Sequence, residues 1–396
     1  MNFNLHQSAK GRLRWLVIDA ATGQEVRGSD WINNLILNTG MNAVAARSWV
    51  DNTVYCCVGT GVGPTADDSG TTTAAQSGNT VTLAGGSYVF DTVNDVGAVI
   101  KWDTNETAEI ASFSDNQTAL VTNSATVGAG QFTLYHTAQT ALGTELKRSN
   151  TYLTGSPNCG TVISGSTLQH RRTYDFTAEV GTVNYTEAGF SWTASGPGSL
   201  FSRIVFPGPV AVLSGQQLRV VYELQITLTP TTPNTTSAII GGWPVSPAVG
   251  TSGQEQLVGV GIAIIQASSG NSTTTTGVLA NEPGVASSLA AWISTASTSL
   301  PAWPSDQDYS ADAVTATLTN QPYVAGTYYR DKTATFTVNQ ANRSDWRSIG
   351  TGYHSLPSFA AYNAVGIAFI FDEAQTKLNT HTLTLTWRYS WSRDLS

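Results

Sequence analysis

The side chains best suited to acid–base chemistry in this 396-residue chain are five scattered histidines. They are His6, His136, His170, His354 and His381. A lone histidine is more often a surface residue or a satisfied core residue than a catalytic base. A Ser–His–Asp triad is defined by geometry in space, so the sequence leaves that arrangement open. Because the Gly-x-Ser-x-Gly, His-Glu-x-x-His and P-loop patterns are missing from the sequence, we predict that the protein is not an enzyme.

The carboxylates suggest a metal site only weakly. Asp306, Asp308 and Asp312 are spaced like part of a calcium loop, but Ala311 stands where the sharp turn requires glycine. We interpret these three residues, and likewise Asp67 and Asp68, as solvated carboxylates in turns. Glycoside cleavage needs two acids flanking a sugar, and among 27 acidic residues no spacing selects a pair. We therefore predict neither a metal ion nor a cofactor, and no catalytic residue is assigned.

The three cysteines do not form a disulfide framework. Cys56 and Cys57 are adjacent, so on one strand they would point to opposite faces and could not bond to each other. Cys159 stands alone in a segment with glycine and proline. We interpret all three as small, inert, apolar side chains.

Aromatic side chains in the C-terminal region give a second possible binding chemistry, the stacking of flat rings on sugar faces. The candidates are Trp303, Tyr309, Tyr323, Tyr328, Tyr329 and Trp346. The competing interpretation places these rings in cores and subunit interfaces, where Trp and Tyr are also enriched. The sequence favours the second interpretation and leaves the binding residues unknown.

Charge and hydropathy narrow the class of partner. The net charge is −8, and the basic pairs Lys147-Arg148 and Arg171-Arg172 are too short for a phosphate-binding surface, so nucleic acid is not expected. The longest apolar run, from Val258 to Ile265, cannot span a bilayer. The first residues lack the apolar core of a secretion signal, so we expect synthesis in a cytosol without export by the general secretory route. Charged residues make up only 12% of the chain, about half the usual share, which permits close packing of copies.

Hydrophobic alternation of period two dominates the chain and predicts β-strands, among them strands at residues 168–176 and 184–192. The same plan of strand, turn and strand closes each half, at residues 200–229 and again at 364–391, and the second is expected to form a final hairpin that ends at Trp391. We therefore expect an all-β fold: two antiparallel β-sandwich domains, jelly-roll or Greek-key-like, with a small inserted β-barrel module and one or two short helices. Helical spacing occurs in residues 41–50, with Thr39 as a possible N-cap, and in residues 286–298.

Composition shifts predict three domains. Residues 1–75 together with 148–230 form the first sandwich, 76–147 form the inserted small β-domain, and 238–396 form the C-terminal sandwich. Six short strands separated by polar turns are expected within the insertion, at 80–83, 88–90, 98–102, 108–111, 119–122 and 131–135. The Pro- and Thr-rich segment 230–237 serves as the linker between the two halves.

Several strand phrases resemble a poorly characterised family of tailed-bacteriophage virion proteins. They are Asn34-Leu-Ile-Leu-Asn-Thr-Gly-Met-Asn42, Tyr55-Cys-Cys-Val-Gly-Thr-Gly61, Arg171-Arg-Thr-Tyr-Asp-Phe176, Glu187-Ala-Gly-Phe-Ser-Trp192 with Leu200-Phe-Ser-Arg203, Gln217-Leu-Arg-Val-Val-Tyr-Glu-Leu224, Tyr323-Val-Ala-Gly-Thr-Tyr-Tyr-Arg-Asp331 and Leu383-Thr-Leu-Thr-Trp-Arg-Tyr-Ser-Trp-Ser-Arg393. The segment 76–147, with Asp95-Val-Gly-Ala-Val-Ile100, is similar to a small β-module that recurs in phage tail proteins. These phrases have no catalytic content.

The resemblance implies a structural protein of the virion, assembled in the host bacterial cytoplasm and associated with the tail as a fibre, baseplate or neck component. Its partners would be other virion proteins and copies of itself, and the low charge together with the resemblance favours a homotrimer. Two alternatives stay open: a capsid decoration or adhesin module that attaches to host surface glycan, and a tail-borne glycan-degrading enzyme. Neither nucleic-acid binding nor membrane insertion is expected.

Overall fold

The structure, a computed structural model, describes residues 2–46, 49–154, 158–164, 167–196, 198–230, 238–240, 254–258, 262–267, 276–277, 289–294, 314–353, 365–380 and 382–395. Strands predominate among these residues, and the one α-helix within them is short. The sequence prediction of an all-β fold is therefore confirmed.

The first part of the chain alternates long strands with one helix. Its elements are β1 Asn2–Asp19, β2 Glu25–Gly28, β3 Ile32–Ile36, α1 Asn38–Ala43, a 3-10 turn at Val50–Thr53 and β4 Tyr55–Gly59. Shorter strands follow: β5 Ala66–Asp68, β6 Thr73–Ala84, β7 Val99–Trp102, β8 Thr107–Asp115, β9 Thr118–Gly130 and β10 Phe132–Tyr135. The long strands then resume: β11 Glu145–Ser149, β12 Tyr152–Leu153, β13 Gly160–Ser164, β14 Thr167–Asp175, β15 Val183–Ser191, β16 Leu200–Val212 and β17 Gln216–Pro230.

The remaining strands belong to the second half of the chain. They are β18 Ala238–Ile240, β19 Gln254–Val258, β20 Ile262–Ala267, β21 Thr276–Gly277, β22 Leu289–Ser294, β23 Val314–Thr317, β24 Thr319–Asn320, β25 Tyr329–Phe336, β26 Arg343–Tyr353, β27 Val365–Lys377 and β28 Leu383–Arg393. Helix α1 has six residues and falls well short of the length and hydropathy that a bilayer crossing requires.

The large sheet is built around β1. Its main path runs β11-β4-β15-β16-β3-β1-β17-β14-β12, and β2, β13, β24, β25 and β28 attach to it. The β1–β17 ladder is antiparallel and runs from Leu5 opposite Pro230 to Asp19 opposite Gln216. Side chains alternate along these strands, so Leu13 and Val17 enter the main core together with Tyr222 and Leu224. The intervening residues point away from that core.

Two strands from the end of the chain complete this sheet. β28 runs parallel to β1, with Asn2 opposite Thr386 and Ala9 opposite Arg393, and β25 pairs with β28 in turn. Trp387, Tyr389 and Trp391 thereby join the same core as the first 230 residues. The three-domain division stays a prediction, and these ladders cross the boundary that it draws between residues 1–230 and 238–396.

The two closing phrases of the chain do not form hairpins. β16 pairs with β15 and β3, whereas β17 pairs with β1 and β14. β27 likewise pairs with β26, β18 and β20, whereas β28 pairs with β1 and β25. Each phrase thus places two consecutive strands beside different neighbours, and the expectation of a final hairpin is wrong. Among the described residues, β27 belongs to a separate sheet of order β19-β20-β27-β26-β22-β23.

A smaller sheet of order β5-β10-β7-β8-β9-β6 occupies residues 66–135, which we call the inserted module. Its own core contains Val81, Ile100, Ile110 and Phe132. Buried Trp102 donates a hydrogen bond from Nε1 to the carbonyl of Ala74, 2.8 Å away. Five of the six expected strands overlap with β6 to β10, whereas residues 88–90 form no strand. The sixth strand of this sheet is β5, which was not expected.

Both helix predictions need correction. α1 begins after Leu37 and ends before the predicted segment 41–50 is complete, and Thr39 is not its N-cap. The Thr39 hydroxyl instead donates to the carbonyl of Leu200, which ties the helix to β16. Within 286–298, Leu289–Ser294 is strand β22, which pairs with β23 on one side and β26 on the other. A short apolar run is compatible with a helix or a strand, and here hydrogen bonding to β23 and β26 stabilises the strand.

Candidate interaction face

The outer face is the side of β25, β28, β1, β17 and β14 that points away from the main core. Strand register fixes which side chains meet across it. One row contains Tyr329, Ser390 and His6, because Tyr329 lies opposite Ser390 and Ser390 opposite His6. Another row contains Arg12, Glu223 and Arg171 on β1, β17 and β14. The face therefore has a hydroxyl-rich region near β28 and an arginine-rich region near β14.

The arginine-rich region centres on Trp31, which lies between β2 and β3. The guanidinium carbon of Arg12 is 4.6 Å from the centroid of the Trp31 ring, and those of Arg14 and Arg171 are each 5.7 Å away. These are cation–π distances. We call Arg12, Arg14, Arg171, Trp31 and Glu223 the arginine–tryptophan cluster.

Glu223 holds two of these arginines in place. Arg12 Nε donates to Oε1 at 2.7 Å, and Arg171 Nη2 donates to Oε2 at 2.8 Å. Burial by itself would raise the pKa of Glu223, but hydrogen bonds from Arg171 and Gln225 and the charge of Arg12 lower that pKa overall. The Glu223 side chain is 1% exposed, whereas the side chains of Arg12 and Arg171 are 31% and 37% exposed. The carboxylate is thus buried, whereas the two arginine side chains remain partly exposed and accessible to a partner.

The hydroxyl-rich region contains a histidine between two serines. His6 Nδ1 lies 3.0 Å from Ser390 Oγ, and His6 Nε2 lies 3.0 Å from Ser392 Oγ. Burial lowers the pKa of His6, so the ring is neutral near pH 7, with one nitrogen donating and the other accepting. An activated serine would need the second nitrogen to face a carboxylate, which polarises the ring far more than a hydroxyl does. This group joins β1 to β28.

Arg388 and Asp331 form the charged pair at the β25 edge of the face. Arg388 Nε and Nη2 donate to the two carboxylate oxygens of Asp331, each at 2.8 Å. The guanidinium carbon also lies 3.9 Å from the centroid of the Tyr329 ring. The outward surface of this strand pair is therefore held in a defined arrangement.

A buried ion pair fixes the two connections that lead into and out of the inserted module. Arg203 Nη2 lies 2.8 Å from Glu187 Oε2, and the two side chains are 2% and 0% exposed. Glu187 also accepts backbone hydrogen bonds from Gly61, Gly143 and Thr144 at 2.8–3.1 Å. A Cβ atom at position 61 would overlap Glu187 Oε1, so glycine is required there. We call Glu187, Arg203 and these three backbone groups the Glu187 clamp.

Backbone donors and Arg203 keep the Glu187 carboxylate ionised. Burial by itself would raise the pKa of Glu187, but the backbone donors of Thr144 and Gly143 and the adjacent Arg203 lower it overall. Arg203 Nη1 donates in addition to Gln139 Oε1 at 2.7 Å, on the outgoing connection. The clamp therefore ties both connections of the module to β15 and β16.

A second polar group joins the module to the end of the chain. Asn38 Nδ2 donates to the carbonyl of Gly97 at 2.8 Å, and its Oδ1 accepts from Arg393. Tyr328 has a left-handed backbone conformation, with φ of 50°, and its hydroxyl lies 3.5 Å from Glu109 Oε2. Burial raises the pKa of Glu109, and the charge of Arg393 opposes that rise. Side chains from the large sheet, the module and β28 meet in this group.

The aromatic candidates are not gathered into a sugar-binding platform within the described residues. Tyr323 stacks on Trp391 with ring centroids 5.6 Å apart and donates to Asn42 Oδ1 at 2.6 Å, and Tyr328 packs against the main core. Tyr329 has its ring covered by Arg388. The side chain of Trp346, and the whole of Trp303 and Tyr309, lie outside the described residues.

Among the described residues, His136 lies between Asp67 and Asp95, and the other candidate histidines and carboxylates are dispersed. His136 Nε2 lies 2.9 Å from Asp67 Oδ2, and Asp68 accepts a hydrogen bond from the Gly70 amide at 2.9 Å. His170 is buried, and burial lowers its pKa to about 3. His354, His381, Asp306, Asp308 and Asp312 lie outside the described residues. Within the part of the chain that the structure describes, no group of three or more His, Cys, Asp or Glu side chains is placed to hold a metal ion.

Lys147, Arg148 and Arg172 contact other residues of this chain, and the three cysteines are free thiols. Lys147 and Arg148 lie on β11, where Lys147 pairs with Glu179 and Arg148 with Glu145. Arg172 donates to the Thr53 hydroxyl at 3.1 Å from the opposite side of β14 to Arg171. The thiols of Cys56 and Cys57 are buried, Cys159 is partly buried, and all three are free. Burial raises the pKa of Cys57 to about 12.

The arginine–tryptophan cluster was not anticipated from the sequence, although part of it could have been. Arg12 and Arg14 alternate with Leu13 and Trp15, which places both arginines on one side of a strand. The partners Arg171 and Glu223 are more than 150 residues away, so only the strand register reveals them.

Comparisons with protein-family models, with curated proteins and with solved structures found no match to this chain.

Proposed function

We propose that this chain is a structural component of a tailed-bacteriophage virion, associated with the tail as a fibre, baseplate or neck protein. It acts by packing its β-domains against copies of itself and against neighbouring virion proteins. The sequence phrases quoted above supply the virion assignment by resemblance, and the fold supplies surfaces suited to assembly.

One observation carries the assembly role: the outer face aligns arginine, tyrosine and hydroxyl side chains across five strands, and Trp31 lies against its arginines. Arginine, tryptophan and tyrosine are enriched where proteins contact one another. Arg12, Arg171 and Arg388 are each paired with a carboxylate that orients the guanidinium. A partner would therefore meet pre-arranged donors, which lowers the entropy cost of binding.

The Glu187 clamp supports the same proposal. A structural protein of a virion needs parts that keep fixed positions relative to one another. Here one buried carboxylate fixes both connections to the inserted module through three backbone amides and an arginine. The module is therefore held at two points on the large sheet.

Locating the chain in intact particles tests the proposal. Gold-labelled antibodies against the purified chain, viewed by electron microscopy, are expected to mark the tail or neck. Quantitative mass spectrometry of the same particles should give a copy number far below that of the major capsid protein. A copy number close to the capsid protein's would contradict the tail assignment and favour capsid decoration. Absence of the chain from purified particles would contradict the virion role itself.

A further inference from the structure

The charge of the chain is concentrated in one segment. Residues 66–135, the inserted module, contain eight carboxylates and one lysine, so the module carries seven of the chain's net eight negative charges. The remaining residues contain 18 basic and 19 acidic side chains and are nearly neutral. This asymmetry gives the protein an acidic module on an otherwise balanced body.

Several of the module's carboxylates point into solvent. Asp68, Asp91, Asp103, Glu106 and Asp115 are exposed. Asp103 and Glu106 lie in the four-residue turn between β7 and β8, which we call the acidic turn. Asn105 has a φ of 76° and shapes this turn, and its amide donates to the carbonyl of Trp102 at 2.8 Å. The acidic turn is therefore a defined structure that presents two carboxylates.

The arginine–tryptophan cluster offers the opposite charge. Three arginines surround Trp31, and the single carboxylate of the cluster, Glu223, is buried beneath them. The outward surface of the cluster is thus positive, with a flat apolar ring at its centre. Carboxylates approaching this surface would find guanidinium groups already oriented by Glu223.

We propose that the acidic turn of one copy docks on the arginine–tryptophan cluster of a second copy of this chain. The inference rests on the proposed function, because it specifies how copies would assemble. The two surfaces differ, so the contact is heterologous: every copy donates its acidic turn and accepts another. Repetition of such a contact closes a ring when the rotation between copies permits, and a ring of three agrees with the trimer expected from the sequence.

Complementary charge steers such copies together and fixes their orientation. The contact should therefore depend on salt. Between about 0.01 M and 1 M salt the screening length falls from about 30 Å to about 3 Å, so association is expected to weaken steadily over that range. Sedimentation velocity at micromolar protein measures this directly.

Charge reversal at the acidic turn supplies the specific test. Asp103→Lys with Glu106→Lys should raise the dissociation constant of self-association by about tenfold or more, because attraction becomes repulsion at the contact. Both positions are exposed in a turn, so the thermal unfolding midpoint should stay close to that of the unaltered chain. Retained mass in sedimentation would overturn the inference.

A matched control changes the net charge equally but beside the other surface. Glu25 and Asp30 are exposed, and Asp30 directly precedes Trp31. Glu25→Lys with Asp30→Lys makes the neighbourhood of the arginine–tryptophan cluster more positive, so self-association is expected to strengthen. A response to net charge alone would move both variants in the same direction, and that outcome would contradict specific docking.

A mixing experiment distinguishes heterologous docking from other contacts. Arg14→Gln with Arg171→Gln weakens the accepting surface and leaves the acidic turn intact. Mixed with the Asp103→Lys, Glu106→Lys variant, it should form dimers of two different chains, and rings should disappear. Monomers only, or capture of an acidic polysaccharide by the cluster without self-association, would overturn the inference. Neither result would alter where antibodies find the chain in particles, so the two proposals fail separately.

Discussion

Three carboxylates of the large sheet face arginines across strands, whereas two carboxylates of the inserted module accept hydrogen bonds from their own turns. Glu187, Glu223 and Asp175 each lie against an arginine on a neighbouring strand. In the module, Asp91 accepts from the amides of Val93 and Asn94, and Asp115 accepts from the amide of Gln117. The same side chain thus joins distant strands in one region and shapes local turns in the other.

This difference shows what burial demands of a charge. A carboxylate inside the sheet needs a cation and several donors, because an unpaired buried charge is very unfavourable. A carboxylate in an exposed turn is solvated, so it needs only nearby amides and remains available to a partner. These three sheet acids therefore stabilise contacts between strands, whereas Asp91 and Asp115 of the module remain exposed.

The largest effect should come from removing the cation of the Glu187 clamp. Arg203→Met leaves Glu187 buried without its counter-charge and is expected to lower the free energy of unfolding by about 3–5 kcal/mol. Urea denaturation followed by tryptophan fluorescence measures it. Adding Glu187→Gln should recover part of the loss, because the amide carries no charge and still accepts a hydrogen bond. An unchanged midpoint in Arg203→Met would show that the clamp is not ionised.

Acid should weaken the large sheet before it affects the turns of the module. The pKa values of Glu187 and Glu223 are lowered in the folded protein, so the unfolded chain binds more protons as the pH falls. Their contribution to stability is complete above the ordinary pKa of about 4.5 and is lost as the pH falls through the folded value. Urea midpoints between pH 7 and pH 3 should therefore decline, and Glu187→Gln should flatten the part of the decline below about pH 4.5.

His170 adds a separate decline at higher pH. Its folded pKa of about 3 lies below the ordinary 6.5, so the unfolded chain takes up a proton first as the pH falls below 6.5. His170→Gln should reduce that upper part, leaving the share of His6, whose pKa burial also lowers, and should leave the acid-driven part in place. A profile without any change between pH 6.5 and 4.5 would contradict the buried, neutral state of His170.

A much smaller effect is expected at the surface pair of the outer face. Arg388→Ala removes the contact with Asp331 and the cover over Tyr329, and exposed pairs of this kind contribute about 0.2–1 kcal/mol. The loss should shrink further at high salt because the pair is screened. Arg388→Lys serves as the control: it keeps the charge but cannot form the two parallel hydrogen bonds.

The smallest effect should be local to one module turn. Asp91→Ala removes the acceptor for the amides of Val93 and Asn94, so these amides should exchange with deuterium faster while the global unfolding midpoint stays unchanged. Asp91→Asn keeps an acceptor oxygen and should preserve most of the protection. A large global loss on Asp91→Ala would erase the contrast between turn acids and sheet acids.

Period-two alternation was sufficient to predict the strand content and much of its placement. Residues 168–176 and 184–192 were expected as strands, and β14 and β15 occupy nearly those positions. The strands of the module were also found in all but one case. Such patterns are local, so a single sequence contains them.

Pairing partners could not be predicted, because they depend on contacts between distant residues. The phrases ending at Thr229 and Trp391 look like hairpins, yet β16 and β27 each separate from the strand that follows. The candidate face has the same origin: Arg12, Glu223 and Arg171 meet only because β17 lies between β1 and β14. The Glu187 clamp was missed for this reason too, since its amide donors lie more than 40 residues from the carboxylate.

The parallel ladder between β1 and β28 has a consequence for synthesis on the ribosome. Residues 2–9 pair on that side with residues 386–393, which the ribosome adds 384 residues later. Until then their amides and carbonyls form an open edge, to which a strand of another nascent chain could add. Completion of this one sheet thus waits until β28 has been translated, which makes early folding the stage most exposed to wrong pairing.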